Sequence, residues 1–158
     1  MPEQASGSIE IAVSPEVAYD AVSDPQRVAT WSPEFRGGSR GSGTSLVAGD
    51  SYRGVNRSGP IVWVTKVTVT DADRPQYFAF NVDAVGISIS RWEYCIEPTA
   101  TGCRVTETWT DRREGVRGRL ARQGSVVMGI LHDEEFNVTQ IEQTLAAMKA
   151  DLEGSAKA

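Results

Sequence analysis

Histidine and cysteine are nearly absent: one histidine, His132, and two cysteines, Cys95 and Cys103, stand in 158 residues. With no C-x-x-C or H-x-x-x-H spacing among them, the chain has no recognisable zinc site, and neither a metal nor a cofactor is expected. No basic leader followed by an apolar run opens the sequence. Nor does any stretch approach the roughly 18 consecutive apolar residues of a membrane span, so a cytoplasmic protein without an integral membrane segment is expected. Positive charge is also scarce: 16 Lys and Arg against 21 Asp and Glu give a net charge of -5, which argues against general nucleic-acid binding. The glycines between Gly37 and Gly43 lack the lysine and Ser/Thr of a phosphate loop, so nucleotide binding has little support. There is no internal repeat and no second domain. One domain over 1–158, ordered from about 8 to 153, can bury about two-thirds of its unfolded surface.

Hydrophobic periodicity divides what is present. Ile9, Ile11 and Val13 alternate with polar neighbours and predict a first strand over Ser8 to Val13. Ser14-Pro15-Glu16 then supplies an N-cap, a proline at the first helical position and an acid in the first turn of a helix that Asp24-Pro25 ends. A second short helix from Gln26 carries Val28 and Trp31 inward and stops at Ser32-Pro33. From Glu34 to Asp111 nearly everything reads as strand, about six in succession with short connections, which predicts an antiparallel meander. An arginine-rich segment follows. Phe136, Ile141, Leu145, Met148 and Leu152 then recur at three- and four-residue spacing, predicting a helix from about His132 to Leu152 with a frayed tail from Gly154.

The last two strands fix their own register. Trp92, Tyr94 and Ile96 share one face, Val105, Glu107 and Trp109 share another, and Pro98-Thr99-Ala100-Thr101-Gly102 supplies turn chemistry between them. With Ala100-Thr101 as a two-residue turn, Ile96 faces Val105, Tyr94 faces Glu107, Trp92 faces Trp109, and Glu97 meets Arg104 on the opposite side. A slip of one residue would put the aromatics in water and the ion pair inside. Cys95 and Cys103 fall on opposite faces of this hairpin, so both are expected as free thiols. Glu107 becomes a carboxylate among aromatic rings, where an inward-facing strand should show an apolar side chain.

A strand, two short helices, a long antiparallel sheet and a terminal helix make an α+β plan. The expected architecture is the helix-grip fold: a curved antiparallel sheet of about seven strands wrapped around a long C-terminal helix, with two short helices after the first strand and space for a pocket between sheet and helix.

Several segments, in order, resemble the START-like, Bet-v-type (SRPBCC) superfamily and its polyketide cyclase/dehydrase and lipid-transport branch. They are Ser14 to Asp20 entering the first helix, Trp31-Ser32-Pro33-Glu34 closing the second, Gly49 to Arg57, Trp92-Glu93-Tyr94 and Thr106-Glu107-Thr108-Trp109. The resemblance runs from Ile9 to Leu152. It implies a deep cavity for a hydrophobic or polycyclic molecule and does not imply one reaction, because fold does not fix function.

Candidate ligand contacts are Tyr52, Asn56, Trp63, Phe80, Trp92, Tyr94 and Trp109, which with Phe78 would form a wide aromatic wall suited to a flat ligand. Asn56 shares a strand face with Tyr52 and Gly54, a phase that offers an amide beside a gap, or else it stabilises the Ser58-Gly59-Pro60 turn. Glu107 has two readings: a structural acid satisfied by Tyr94 or an indole, or the catalytic acid or base of the site, with its pKa raised by apolar surroundings. Glu34 reads as a solvated acid after a helix stop. His132 is either a group at the cavity entrance or part of an exposed first turn. Arg112, Arg113, Arg117, Arg119 and Arg122 form either a solvated loop or a basic lip for an anionic ligand or surface. Three functions remain open: a binder of a small hydrophobic aromatic, polyketide-like or lipid-like molecule, a cyclase/dehydratase using Glu107, and a stress-related or regulatory interaction module without small-molecule chemistry.

Overall fold

The computed structural model describes residues 2–39, 45–127 and 133–157. In chain order the elements are β1 (Gln4–Ile11), α1 (Pro15–Val22), α2 (Pro25–Trp31), β2 (Phe35–Ser39), β3 (Ser51–Ser58), β4 (Ile61–Asp73), β5 (Tyr77–Ala84), β6 (Ile87–Thr99), β7 (Gly102–Asp111), α3 (Gly115–Val127) and α4 (Glu134–Ala156). All pairings are antiparallel, in the order β1-β7-β6-β5-β4-β3-β2. β2 to β7 is therefore the expected meander, and β1 pairs against β7 at the far edge.

The curvature has local causes. Register shifts interrupt the ladders between Phe35 and Gly38, Val69 and Asp71, and Val82 and Asp83, and such bulges bend a sheet and increase its twist. The result is a half-barrel closed on its concave side by α4.

The helices start where capping chemistry starts them. Ser14 Oγ accepts from the Val17 amide, Asp24 Oδ1 from the Gln26 amide, and Asp133 Oδ1 from the Phe136 amide. α4 buries Asn137, Ile141, Thr144, Leu145, Met148 and Leu152, a stripe at helical spacing. It packs closely over Gly7 of β1, where a Cβ would stand 2.9 Å from Ile141 Cγ2. The other end of α4 is tied down by polar bonds. The Trp31 indole donates to Asp151 Oδ2 at 2.9 Å, Arg27 Nε reaches the same oxygen at 3.2 Å, and Lys149 Nζ donates to the Glu10 carbonyl at 2.7 Å.

Four expectations change. β1 begins at Gln4 rather than Ser8 because its first residues pair with the end of β7, Gln4 opposite Thr110, and it ends at Ile11 rather than Val13. The arginine-rich segment is a loop only from Arg112 to Glu114: α3 covers Gly115–Val127. α4 runs through the supposedly frayed tail to Ala156. Asn137 rather than Phe136 holds the buried position at its start, since 137, 141, 144 and 148 keep the three-and-four spacing that Phe136 breaks. His132 and residues 40–43 lie outside the described residues.

The β6–β7 hairpin has the expected register throughout, with Ile96 opposite Val105, Tyr94 opposite Glu107, Trp92 opposite Trp109 and Glu97 opposite Arg104. Cys95 is exposed and Cys103 buried, both as free thiols. At the turn, Gly102 lies under the backbone that leaves β1. A Cβ there would overlap the Ile11 carbonyl oxygen and stand 2.9 Å from Ala12 Cα. Gly102→Ala is therefore expected to destabilise the protein by about 1–3 kcal/mol in urea unfolding followed by tryptophan fluorescence. A change within about 0.5 kcal/mol would mean that this crossing yields freely.

Candidate functional site

The concave sheet face, α2, α3 and α4 line a partly open cavity of about 580 Å³. Strand alternation decides which side chains reach it. β3 contributes Tyr52 and Asn56, β4 Trp63, β5 Phe80, β6 Trp92 and Tyr94, and β7 Glu107 and Trp109, so the seven candidate ligand contacts and Glu107 stand on this one wall. Phe78 backs the wall from the core, edge-on to Tyr19 at 5.9 Å and tilted against Phe80 at 6.0 Å. Ser32 and Glu34, after α2, also line the space.

Glu107 is the chemical anomaly of this wall. It is 3% exposed, and its Oε1 accepts the Tyr94 hydroxyl at 2.8 Å. Its Oε2 is buried and has no hydrogen-bond partner, alone in this among the described residues. Burial pushes the Glu107 carboxyl up to about 8, with the Tyr94 bond pulling the other way. Burial, and then the neighbouring acid, also raises the Tyr94 phenol well above 10, so that hydroxyl keeps its proton and donates. At neutral pH the pair is thus a phenol donating to a neutral carboxylic acid. An uncharged acid is itself a donor, and its second oxygen carries the spare hydrogen-bonding capacity.

The remaining polar groups are mostly occupied. Asn56 Nδ2 donates to Thr65 Oγ1 at 3.2 Å, and Thr65 Oγ1 lies 3.4 Å from the Gly54 carbonyl. The gap expected beside Asn56 at Gly54 is filled, because a Cβ there would stand 2.9 Å from Thr65 Oγ1 and 3.0 Å from Phe35 Cε2. Asn137 Nδ2 donates to the Asp133 carbonyl within the first turn of α4.

The five arginines separate into two kinds. Arg113 is buried on the cavity wall, where it clasps Asp111 through Nε and NH2, each at 2.9 Å. Arg122 also pairs with Asp111 and reaches Glu3 at 3.2 Å. Burial alone would raise the Asp111 carboxyl, but the Arg113 bonds and the charges of Arg113 and Arg122 outweigh it and leave it lowered. These two arginines fasten the start of α3 to β7 and do not form an open lip. Arg117 and Arg119 are exposed, and Arg112 sits 4.0 Å from Asp83. Arg112 and Arg117 stand beside the β5–β6 turn, together with Gly86 and Ser88.

Sequence reasoning missed Phe35, Leu46, Thr65 and Ser90, and also Asn137 and Thr144, all of which line the space. The last two carried a legible signal, since 137 and 144 fall on the same helical stripe as Ile141 and Met148. The Asp111–Arg113 clasp had none, because two residues of separation along a chain do not disclose a buried turn. Among the described residues no cluster of His, Cys, Asp and Glu is placed to hold a metal ion, and no helix is long and apolar enough to cross a membrane.

The raised Glu107 pKa carries a stability consequence. A carboxyl that holds its proton more tightly folded than unfolded contributes stability fully present below its ordinary value of 4.5 and lost as pH rises through about 8. Glu107→Gln removes that loss. Between pH 5 and pH 8.5 the variant is expected to gain on the parent by a few kcal/mol, on the order set by linkage, in urea unfolding at each pH. Parallel pH profiles for the two proteins would contradict a neutral buried acid.

The family model for polyketide cyclase / dehydrase and lipid transport proteins matches residues 2–153. The Polyketide_cyc-like protein Cgl2372 from Corynebacterium glutamicum shares 26% identity, with 99% of this chain and 95% of that chain covered and a TM-score of 0.68. Protein CV1439 from Chromobacterium violaceum has the same fold at 13% identity, covering 96% of this chain and 99% of its own, with a TM-score of 0.66. Protein Ms6760 from Mycobacterium smegmatis does so at 15% identity, covering 96% and 92%, with a TM-score of 0.63. No curated protein matches the sequence. A match spanning all eleven elements but the last residues of α4 makes the chain a member of the polyketide cyclase/dehydrase and lipid-transport family.

Proposed function

We propose that the protein binds a small hydrophobic molecule, flat or fused-ring in shape, in the cavity between sheet and α4. One observation carries the reading: a partly open cavity of about 580 Å³ walled by Trp63, Phe80, Trp92 and Trp109, with few polar groups among them. A cavity of this size and lining is typical of small-molecule sites, and rigid aromatic walls favour planar ligands. Tyr52, Asn56 and Tyr94 supply the polar contacts in this proposal. Residence in the cytoplasm belongs to it too, supported by the two free thiols.

A second reading rests on Glu107. A carboxyl titrating near 8 inside a cavity is poised to move a proton, as a cyclase or dehydratase requires, with the wall folding a reactive chain into one conformer. A basic approach at Arg112, Arg117 and Arg119, with the clasped Arg113 and Arg122 behind it, supports attraction of an anionic head group or surface in either reading.

Flat aromatic and polyketide-like compounds, titrated against intrinsic tryptophan fluorescence and melting temperature, are expected to quench or shift emission and to raise Tm with concentration. A series with no response in either signal contradicts the binding reading. For the enzymatic one, Glu107→Gln should abolish turnover of a bound substrate and leave its affinity largely intact, and unchanged turnover removes Glu107 from the chemistry.

A further inference from the structure

The outer face of the β3–β4 hairpin carries charge and apolar surface that the cavity does not use. Alternation turns Asn56, Trp63 and Thr65 inward and leaves Arg53, Val55 and Arg57 of β3 and Val62, Val64 and Lys66 of β4 on the convex side, all six exposed. The register sets Arg53 opposite Lys66, Val55 opposite Val64 and Arg57 opposite Val62. The hairpin also projects. β4 starts at Ile61 but pairs with β5 only from Lys66, opposite Asp83, so the stretch from Ile61 to Thr65 extends past the end of that ladder. Val85, two residues beyond Asp83, stands at the adjoining β5–β6 turn. Val55, Val62, Val64 and Val85 make up four of the eight large hydrophobic side chains exposed among the described residues. Single exposed apolar residues are ordinary, but a cluster at one corner points to an interaction surface.

Val85 adds a separate observation. It is 99% exposed and held at φ 52°, with Gly86 following at φ 72°. Asparagine or glycine fits such a turn without strain, whereas a β-branched residue is an outlier there. At that exposure no packing within the chain offsets the strain, so the reason for an apolar tip lies outside it.

Charge decides what this face meets. The chain as a whole carries -5, yet these positions hold only cations. None of the ion pairs among the described residues involves Arg53, Arg57 or Lys66. Arg57 Nε donates to the Gly59 carbonyl of its own turn at 2.8 Å, and Asp83, the acid opposite Lys66, lies 4.0 Å from Arg112. Two copies laid face to face would oppose like charges. The face bears no aromatic side chain on which bases could stack. Protein interfaces gather apolar groups at the centre and charge at the rim, but here Val55 sits between two arginines along β3 and Val62 faces Arg57. Such interleaving suits a bilayer interface, where cationic heads reach lipid phosphates while valines and aliphatic stems meet the acyl boundary.

We propose that the convex β3–β4 face, together with the Val85 turn, docks the protein on an anionic lipid bilayer. The inference goes beyond the cavity reading, and it depends neither on what the cavity holds nor on the arginines of α3.

Binding of the full chain is measured by co-sedimentation with vesicles of phosphatidylcholine alone and of equal parts phosphatidylcholine and phosphatidylglycerol. The protein is expected to bind the anionic vesicles, to leave them as salt rises, and not to bind the neutral ones. Arg53→Gln with Arg57→Gln should weaken binding by about 25-fold, roughly fivefold for each cation removed. Val62→Thr with Val64→Thr, which keeps strand propensity, should weaken it several-fold. Val85→Asn should weaken binding and yet raise Tm, because it relieves the turn. Binding to neither vesicle, or equally to both, overturns the inference. Binding that survives the β3–β4 variants but is lost in Arg117→Gln with Arg119→Gln overturns it in favour of α3. Displacement from the vesicles by poly-glutamate at matched charge overturns it in favour of an acidic protein partner.

Discussion

The hydrogen bond from the Tyr94 hydroxyl to Glu107 Oε1, made across the β6–β7 ladder, is the contact on which the site depends. It holds one carboxyl oxygen in place and leaves the other buried without a partner. It also accounts for how an acid survives where Val105 and Trp109 would suggest another apolar side chain. An unpaired buried oxygen costs about 1–3 kcal/mol, and a buried charge costs far more. Keeping the proton avoids the larger penalty, and the tyrosine reduces the smaller one to a single oxygen.

The rest of the fold keeps that acid buried at the cavity wall. The bulges along β2 to β6 curl the sheet so that six strands contribute to one concave surface. α4 packs closely over Gly7, the residue paired with Glu107 on the side away from Tyr94. A side chain at position 7 would push Ile141 away. The far end of the same helix is tied by Trp31 and Arg27 to Asp151, so the helix is fixed at both ends and the cavity keeps its width. On the other flank, Asp111 and its two arginines anchor α3 beside the wall. Charges counted in the sequence as a basic surface are in part internal fasteners.

Much of this was legible because strand geometry is strict. Period-two alternation placed Trp92, Tyr94, Glu107 and Trp109 on one face, and a two-residue turn at Ala100-Thr101 fixed which of them meet, as the structure has it. The seven-strand plan and the gripping helix followed from the same periodicity. What escaped depends on contacts between distant segments or on competing local signals. β1 gains its first four residues by pairing with β7, which composition around Gln4-Ala5-Ser6-Gly7 does not announce. α3 contains Gly118 and Gly124 and three arginines, a composition that reads as loop until its neighbours are known. Gly54 looked like empty space beside Asn56, yet Phe35 from the adjacent strand occupies it. Pattern shows which face a residue takes, and neighbours decide what fills the volume in front of it.

The central claim is that Glu107 is an uncharged acid at neutral pH, and its protonation can be watched directly. In protein carrying carbon-13 at glutamate side-chain carboxyls, the Glu107 resonance is assigned by its disappearance in Glu107→Gln and followed from pH 4 to pH 10. The account predicts a single resonance that stays in its protonated position through pH 7 and titrates near 8. Titration near the ordinary value of 4.5 would contradict it, because the carboxyl would then be ionised in the folded protein and would have no hydrogen to offer.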